Sequence, residues 1–153
     1  MSADRPPLGL AFVGAGTITG RVLKHLALGD VAAAVRVVNV CDPVDGRAAT
    51  LAAAGGVPRS ATTLEEVLDD PAVEAVSIAS PIGLHYEQGL AAIRAGRHVH
   101  FNKTMAVTAA EATELIDEAA AAGVALVASP AVTAIVLLKC TCLPARIAAS
   151  PCS

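Results

Sequence analysis

Two glycines, Gly14 and Gly16, stand where a short apolar segment meets a helical pattern. The first glycine permits a sharp turn, and the second lets a phosphate approach the backbone with no Cβ in the way. The helix that follows offers free N–H groups and the positive end of its dipole to an anion. The turn therefore predicts a site for the pyrophosphate of a dinucleotide, formed by Gly14, Ala15, Gly16, Thr17 and Ile18.

This glycine turn is incomplete as a G-x-G-x-x-G pattern, because Thr19 stands at the third glycine position and Gly20 follows it. The turn alone is a weak signal, so its interpretation depends on what surrounds it. Asp42 supplies part of that context: it ends a β-branched segment roughly 20 residues further on, where a carboxylate accepts hydrogen bonds from the adenosine ribose. The alternative is that Asp42 only opens a polar turn.

The segments that must position these residues alternate between strand and helix patterns. Strands are predicted over 8–12, 35–41, 73–80, 98–101 and 124–128, with a helix after the glycine turn and others over 46–54, 64–68, 85–95 and 109–122. Gly29 is predicted to cap the first helix. Thr63 with Glu66, and Thr108 with Glu111, have the spacing of capping boxes.

Strands that alternate with helices need right-handed crossovers, which place helices on both faces of a parallel sheet. The predicted fold class is therefore α/β, a doubly wound, Rossmann-like parallel sheet. Ligands of such sheets bind at the carboxyl ends of the strands. The residues that this topology brings to that edge are Gly14, Asp42, Ser80, Pro81 and Lys103.

Composition limits the classes of protein to consider. The chain has 153 residues, 54% of them hydrophobic and 2% aromatic, which suits a sheet of aliphatic strands covered by helices. A net charge of −3 with no basic cluster argues against a nucleic-acid partner. No secretory signal and no apolar segment of membrane length is evident, and the cysteine spacing forms no metal site. A cytoplasmic location is expected, and the sequence does not indicate an oligomeric state.

The chain resembles the nucleotide-binding domain of the Gfo/Idh/MocA family of NAD(P)-dependent sugar and polyol oxidoreductases. The resemblance rests on the segments VGAGTITG, VCD, TTLEEVLDDPAVEAVSIASPIGLHYE and AAIRAGRHVHFNKTMAVTAAEATELIDEAA. It implies hydride transfer between a nicotinamide cofactor and a sugar, polyol or related alcohol or carbonyl compound. NAD is the expected cofactor because of Asp42, with NADP left open.

The resemblance also implies roles for two further residues. Lys103 matches a lysine that lies by the nicotinamide and the substrate, in a stretch that usually reads Glu-Lys-Pro; here its neighbours are Asn102 and Thr104. Lys103 is thus the candidate catalytic residue and a cofactor contact; the alternative is a solvated surface charge, which is what a lysine just after a strand more often is. His85 matches a histidine that the family often carries after its Ser/Thr-Pro turn, near the start of the helix, and it is a candidate cofactor contact. The alternative is a histidine that caps the helix or packs locally.

The last part of the chain does not fit this pattern. We expect residues 1–128 to form the dinucleotide-binding domain and residues 129–153 to be an atypical tail, frameshifted or truncated, with the substrate domain of the family absent. The alternative for the tail is a true extra element, with a further strand or short helix over Val132 to Leu138. On the first interpretation the isolated chain binds cofactor without turnover. Two alternatives are a stand-alone nucleotide-binding or regulatory module, and a poorly folding remnant that binds nothing.

Overall fold

A parallel sheet with helices on both faces forms the domain in a computed structural model, which describes residues 6–128. Its strands are β1 (Leu8–Val13), β2 (Val35–Cys41), β3 (Ser60–Ala61), β4 (Ala75–Ile78), β5 (His98–Phe101) and β6 (Leu126–Ala128). Its helices are α1 (Thr17–Leu26), α2 (Gly29–Ala32), α3 (Arg47–Gly55), α4 (Leu64–Leu68), α5 (His85–Arg94) and α6 (Ala109–Ala122), with a 3₁₀ turn over Ile82–Leu84. The predicted doubly wound α/β fold is confirmed.

The order of the strands fixes where a ligand can bind. The sheet reads β3-β2-β1-β4-β5-β6, and every pair is parallel. The chain runs outward from β1 to β3 and then returns to β4 on the other side of β1. A crevice forms outside the carboxyl ends of β1 and β4, where the strand order reverses. The glycine turn follows β1 and therefore lies in this crevice.

Side chains along β1 point alternately to the two faces of the sheet and so contribute to two separate parts of the core. Leu8, Leu10 and Phe12 face a cluster that includes residues of α1 and α3, whereas Ala11 and Val13 face one that includes residues of α5 and α6. All six residues of β1 are buried. A central strand covered on both faces needs a continuous apolar sequence, which is what this segment has.

The predicted helix starts are confirmed where a capping box marks them. Thr63 accepts a hydrogen bond from the Glu66 N–H, and Glu66 bonds back to the Thr63 backbone. Thr108 and Glu111 do the same at the start of α6. These reciprocal bonds satisfy two otherwise free N–H groups at each helix start.

One local prediction is wrong, and one short strand was missed. Gly29 does not cap α1: the carbonyls of Leu23 and His25 accept from the N–H groups of Ala27 and Leu28, so no left-handed residue is needed, and Gly29 begins α2. The edge strand β3 was not predicted, because two residues are too few to show a hydrophobic period. Strands β4 and β6 are shorter than expected.

Within residues 6–128, no helix combines the length and apolar character needed to span a membrane. The predictions made for residues 129–153 lie outside the described residues.

Candidate functional site

Gly14 forms a turn that only glycine fits. Its φ is +102°, a region that side chains with a Cβ rarely adopt. A Cβ built there would lie 2.9 Å from the carbonyl carbon and oxygen of Ala79 and from the nitrogen of Ser80. The Gly14 N–H also donates to the Cys41 carbonyl at 2.8 Å. The turn therefore packs between the end of β2 and the residues that follow β4.

Gly16, in contrast to Gly14, has open space where a side chain would project. It is the N-cap residue of α1, its backbone is extended at φ −83° and ψ −176°, and no side chain caps the helix there. A Cβ at Gly16 would meet no atom within 4 Å. The residue lines a cleft, so the space that a side chain would fill is open to a ligand. This cradle fits a pyrophosphate that approaches the start of a helix.

Thr19 explains the missing third glycine. The side chain is fully buried, and its hydroxyl donates to the Gly14 carbonyl at 2.6 Å. At the next residue, Gly20, a Cβ would lie 3.5 Å from the Leu51 side chain, an ordinary van der Waals distance. The sequence showed the substitution, but not that the threonine fastens the turn to α1.

Asp42 holds the glycine turn in place through a hydrogen bond to its backbone. One carboxylate oxygen accepts from the Ala15 N–H at 2.9 Å, and the other accepts from the Val44 N–H at 3.0 Å. Arg47 Nη1 lies 3.5 Å from the second oxygen. The residue is 4% exposed and lines the cleft. Asp42 therefore stabilises the glycine turn. Its carboxylate still has unused lone pairs, so it can also accept the predicted hydrogen bonds from the ribose.

The charge of Asp42 is stabilised in the fold. Burial favours the neutral acid, but hydrogen bonds from Ala15 and Val44, together with Arg47, outweigh it and lower the pKa below its ordinary value of 3.8. A carboxyl whose pKa falls on folding stabilises the native state above its unfolded pKa, and this contribution disappears as the pH falls through the folded pKa.

Asp42→Asn is therefore expected to lower the free energy of unfolding at pH 7 by about 1.5–3 kcal/mol, because it weakens hydrogen bonds to a charged acceptor. The difference from the parent should shrink as the pH falls below 3.8. Urea unfolding of both proteins at a series of pH values measures it. A difference that stays constant down to the acid limit would contradict the role assigned to the charge.

The cleft has a volume of about 560 Å³, within the range of small-molecule sites. Its lining includes Gly14, Gly16, Cys41, Asp42, Arg47, Thr63, Glu65, Ser80, Pro81, Leu84 and Gln88. The structure thus brings five of the predicted site residues to one cavity, namely Gly14, Gly16, Asp42, Ser80 and Pro81. Burial, together with the charge of Asp42, raises the pKa of the Cys41 thiol to about 11, so it stays protonated.

Sequence reasoning missed Gln88 and the start of α4 as parts of this cleft. Gln88 lies on α5, and its side-chain oxygen accepts from the Ser80 hydroxyl at 2.5 Å. Thr63 and Glu65 belong to the capped start of α4. Polar residues near helix starts were visible in the sequence, but their position opposite the glycine turn depends on how the sheet places them.

His85 and Lys103 lie outside the lining of this cleft. His85 is 3% exposed, and both ring nitrogens are within hydrogen-bond distance of backbone carbonyls. Lys103 is exposed after β5 and has φ +83°, the one positive value among the described residues other than glycine. A backbone of this kind costs about 1–3 kcal/mol and persists only where its surroundings hold it.

Comparison with known proteins agrees with this geometry. Residues 8–129 match a family model described as GFO_IDH_MocA, an oxidoreductase family with an NAD-binding Rossmann fold. The chain is 42% identical over 90 residues to a 1,5-anhydro-D-fructose reductase of Ensifer adhaerens, covering 59% of this chain and 27% of that protein. It is 48% identical over 63 residues to scyllo-inositol 2-dehydrogenase (NADP(+)) of Bacillus subtilis, covering 41% and 18%.

Among solved structures, GenD2 from gentamicin A biosynthesis, in complex with NAD, superposes with a TM-score of 0.74. It is 31% identical, and the match covers 82% of this chain and 35% of GenD2. The chain therefore spans about a third or less of the length of these relatives.

Proposed function

The chain belongs to the Gfo/Idh/MocA oxidoreductase family and carries its NAD(P)-binding Rossmann domain, and we propose that it serves hydride transfer to or from a sugar or polyol. The observation that carries the proposal is the open cradle at Gly16, where a side chain would occupy the space beside the start of α1. The relatives that reduce anhydrofructose or oxidise an inositol support the substrate class.

The chain's own residues would hold and orient the cofactor. The turn over residues 14–18 receives the pyrophosphate at the N-terminus of α1, and Asp42 accepts hydrogen bonds from the adenosine ribose. Ser80 and Pro81 border the same cleft. The nicotinamide, when bound, supplies the hydride chemistry, while the protein supplies orientation and electrostatics.

Lys103 is the proposed catalytic residue. It follows β5, at the same edge of the sheet as the glycine turn after β1. An ammonium group there would donate a hydrogen bond to the oxygen atom of the substrate whose carbon exchanges hydride, and so stabilise developing negative charge.

The cytoplasmic location expected from the sequence remains part of the proposal.

Titration with reduced cofactor tests the proposal. We expect the full chain to bind NADH, and to bind NADPH about tenfold more weakly, a difference of about 1.4 kcal/mol. The extra phosphate would face the Asp42 carboxylate, and juxtaposed like charges weaken binding. Arg47, whose side chain is 51% exposed, limits the preference because it can also face that phosphate. Fluorescence of the bound dinucleotide at physiological salt measures both affinities.

The matched control is Arg47→Ala, which removes the offsetting charge and should widen the preference for NADH. Failure of the parent to bind either dinucleotide contradicts the proposed function. Equal or tighter binding of NADPH leaves the function standing and overturns the role of Asp42.

A further inference from the structure

The imidazole of His85 bridges two backbone segments that are distant in the sequence. Its Nδ1 lies 2.7 Å from the Thr104 carbonyl oxygen, and its Nε2 lies 2.9 Å from the Ser80 carbonyl oxygen. The ring packs against Phe101 with centroids 5.6 Å apart and is 3% exposed. A ring with both nitrogens occupied and no access to solvent is not placed to contact a substrate or cofactor itself.

The bridge reaches the loop that carries Lys103. Before the lysine, the Asn102 N–H donates to the Ile78 carbonyl at 2.9 Å and continues the pairing of β5 with β4. After it, the Thr104 carbonyl faces His85. Lys103 lies between these two attachments with φ +83°. A lysine released on one side would relax to negative φ, because its Cβ disfavours the left-handed region.

The other end of the bridge is part of the cofactor cleft. Ser80 follows β4 and lines the cleft, and its nitrogen lies 2.9 Å from the Cβ position of Gly14. His85 therefore connects the lysine loop to the backbone against which the glycine turn rests. This connection sets the position of Lys103 relative to the turn that receives the pyrophosphate.

We propose that His85 is a positioning residue for Lys103, which it holds in the left-handed backbone conformation by fixing the Thr104 carbonyl to the end of β4. The inference rests on the proposed function, in which Lys103 lies beside the nicotinamide. His85 acts through the backbone and not as an acid, a base or a cofactor ligand.

Two amide substitutions distinguish the contact of His85 with the Thr104 carbonyl from its contact with the Ser80 carbonyl. The amide nitrogen of asparagine can occupy the place of Nδ1, and that of glutamine can occupy the place of Nε2. His85→Asn thus keeps a donor for Thr104, and His85→Gln keeps one only for Ser80. Both lose the ring that packs on Phe101, so their losses of stability are comparable. His85→Phe retains an aromatic ring and removes both ring nitrogens.

The measurement is nuclear magnetic resonance of the full chain and its variants. A positive φ shortens the distance between the amide and α protons of one residue, which gives a strong cross-peak between them. We expect this cross-peak for Lys103 in the parent and in His85→Asn, and its loss in His85→Gln and His85→Phe. Amide shifts of β1 and β2 report whether each variant is folded.

The proposal is overturned if a folded His85→Phe or His85→Gln keeps the strong cross-peak of Lys103, or if His85→Asn loses it. Titration of the same samples with NADH then tests the connection to the cofactor. The Lys103 side-chain resonances should shift on binding in the parent and in His85→Asn, and should shift less in His85→Gln. If the parent binds no NADH, the proposed function fails, whereas the cross-peaks still decide the role of His85.

Discussion

Gly16→Val is expected to abolish the binding of NADH while the domain stays folded. The valine side chain would project into the open space beside the N-terminus of α1, where no atom lies within 4 Å of the Cβ position. A pyrophosphate could then no longer approach the backbone N–H groups. We expect affinity to fall by at least about a hundredfold, which corresponds to roughly 2.8 kcal/mol.

The fold should tolerate this substitution for the same reason. The backbone of Gly16 is extended, a conformation that valine adopts readily, and nothing in the domain occupies the space that the side chain enters. Loss of glycine at an N-cap costs about 1 kcal/mol or less. Calorimetric titration with NADH and urea unfolding of the same samples separate the two effects.

Gly29→Val is the matched control. Gly29 is also exposed, with no atom within 4 Å of its Cβ position, but it begins α2 and does not line the cleft. The same change in volume there should leave NADH affinity within about twofold of the parent, since surface changes remote from a site have small effects. Parent-like affinity of Gly16→Val would show that the phosphates bind elsewhere.

The sequence was sufficient for the fold because its signals are local and repeated. The apolar segment of β1 and the capping boxes at Thr63 and Thr108 each depend on residues within a few positions of one another. Right-handed crossovers between these elements then favour a doubly wound parallel sheet, but the order of its strands was not predicted. The two-residue strand β3 could not be found this way, because pairing with Val40 and Cys41 defines it and not its own sequence.

The site was less accessible to sequence reasoning, because its contacts join distant positions. The bond from the Ala15 N–H to Asp42 spans 27 positions, and the contact between His85 and Thr104 spans 19. The spacing of Asp42 from the turn marked it as a candidate ligand of the ribose. That its carboxylate also holds the glycine turn depends on the pairing of β1 with β2.

Gly14→Ala should have the largest effect on stability, although it adds only one methyl group. The new Cβ would lie 2.9 Å from three backbone atoms of Ala79 and Ser80, the residues that follow β4, closer than real Cβ atoms approach. These backbone atoms cannot move away as a flexible side chain would, because the Ala79 N–H is hydrogen-bonded to the Val13 carbonyl of β1. The φ of +102° adds a second penalty, because alanine disfavours it.

Together these penalties should reduce the free energy of unfolding by about 2–5 kcal/mol, the sum expected for a left-handed backbone and an overpacked site. A domain of ordinary stability, with a free energy of unfolding of about 5–15 kcal/mol, would lose a large part of that free energy. Urea unfolding of Gly14→Ala and Gly16→Ala compares the same methyl group two positions apart. A loss below about 1 kcal/mol at Gly14, or equal losses at both positions, would contradict the assignment. The contrast follows from where the two Cβ atoms point: at Gly14 into the backbone after β4, and at Gly16 into open space beside the start of α1.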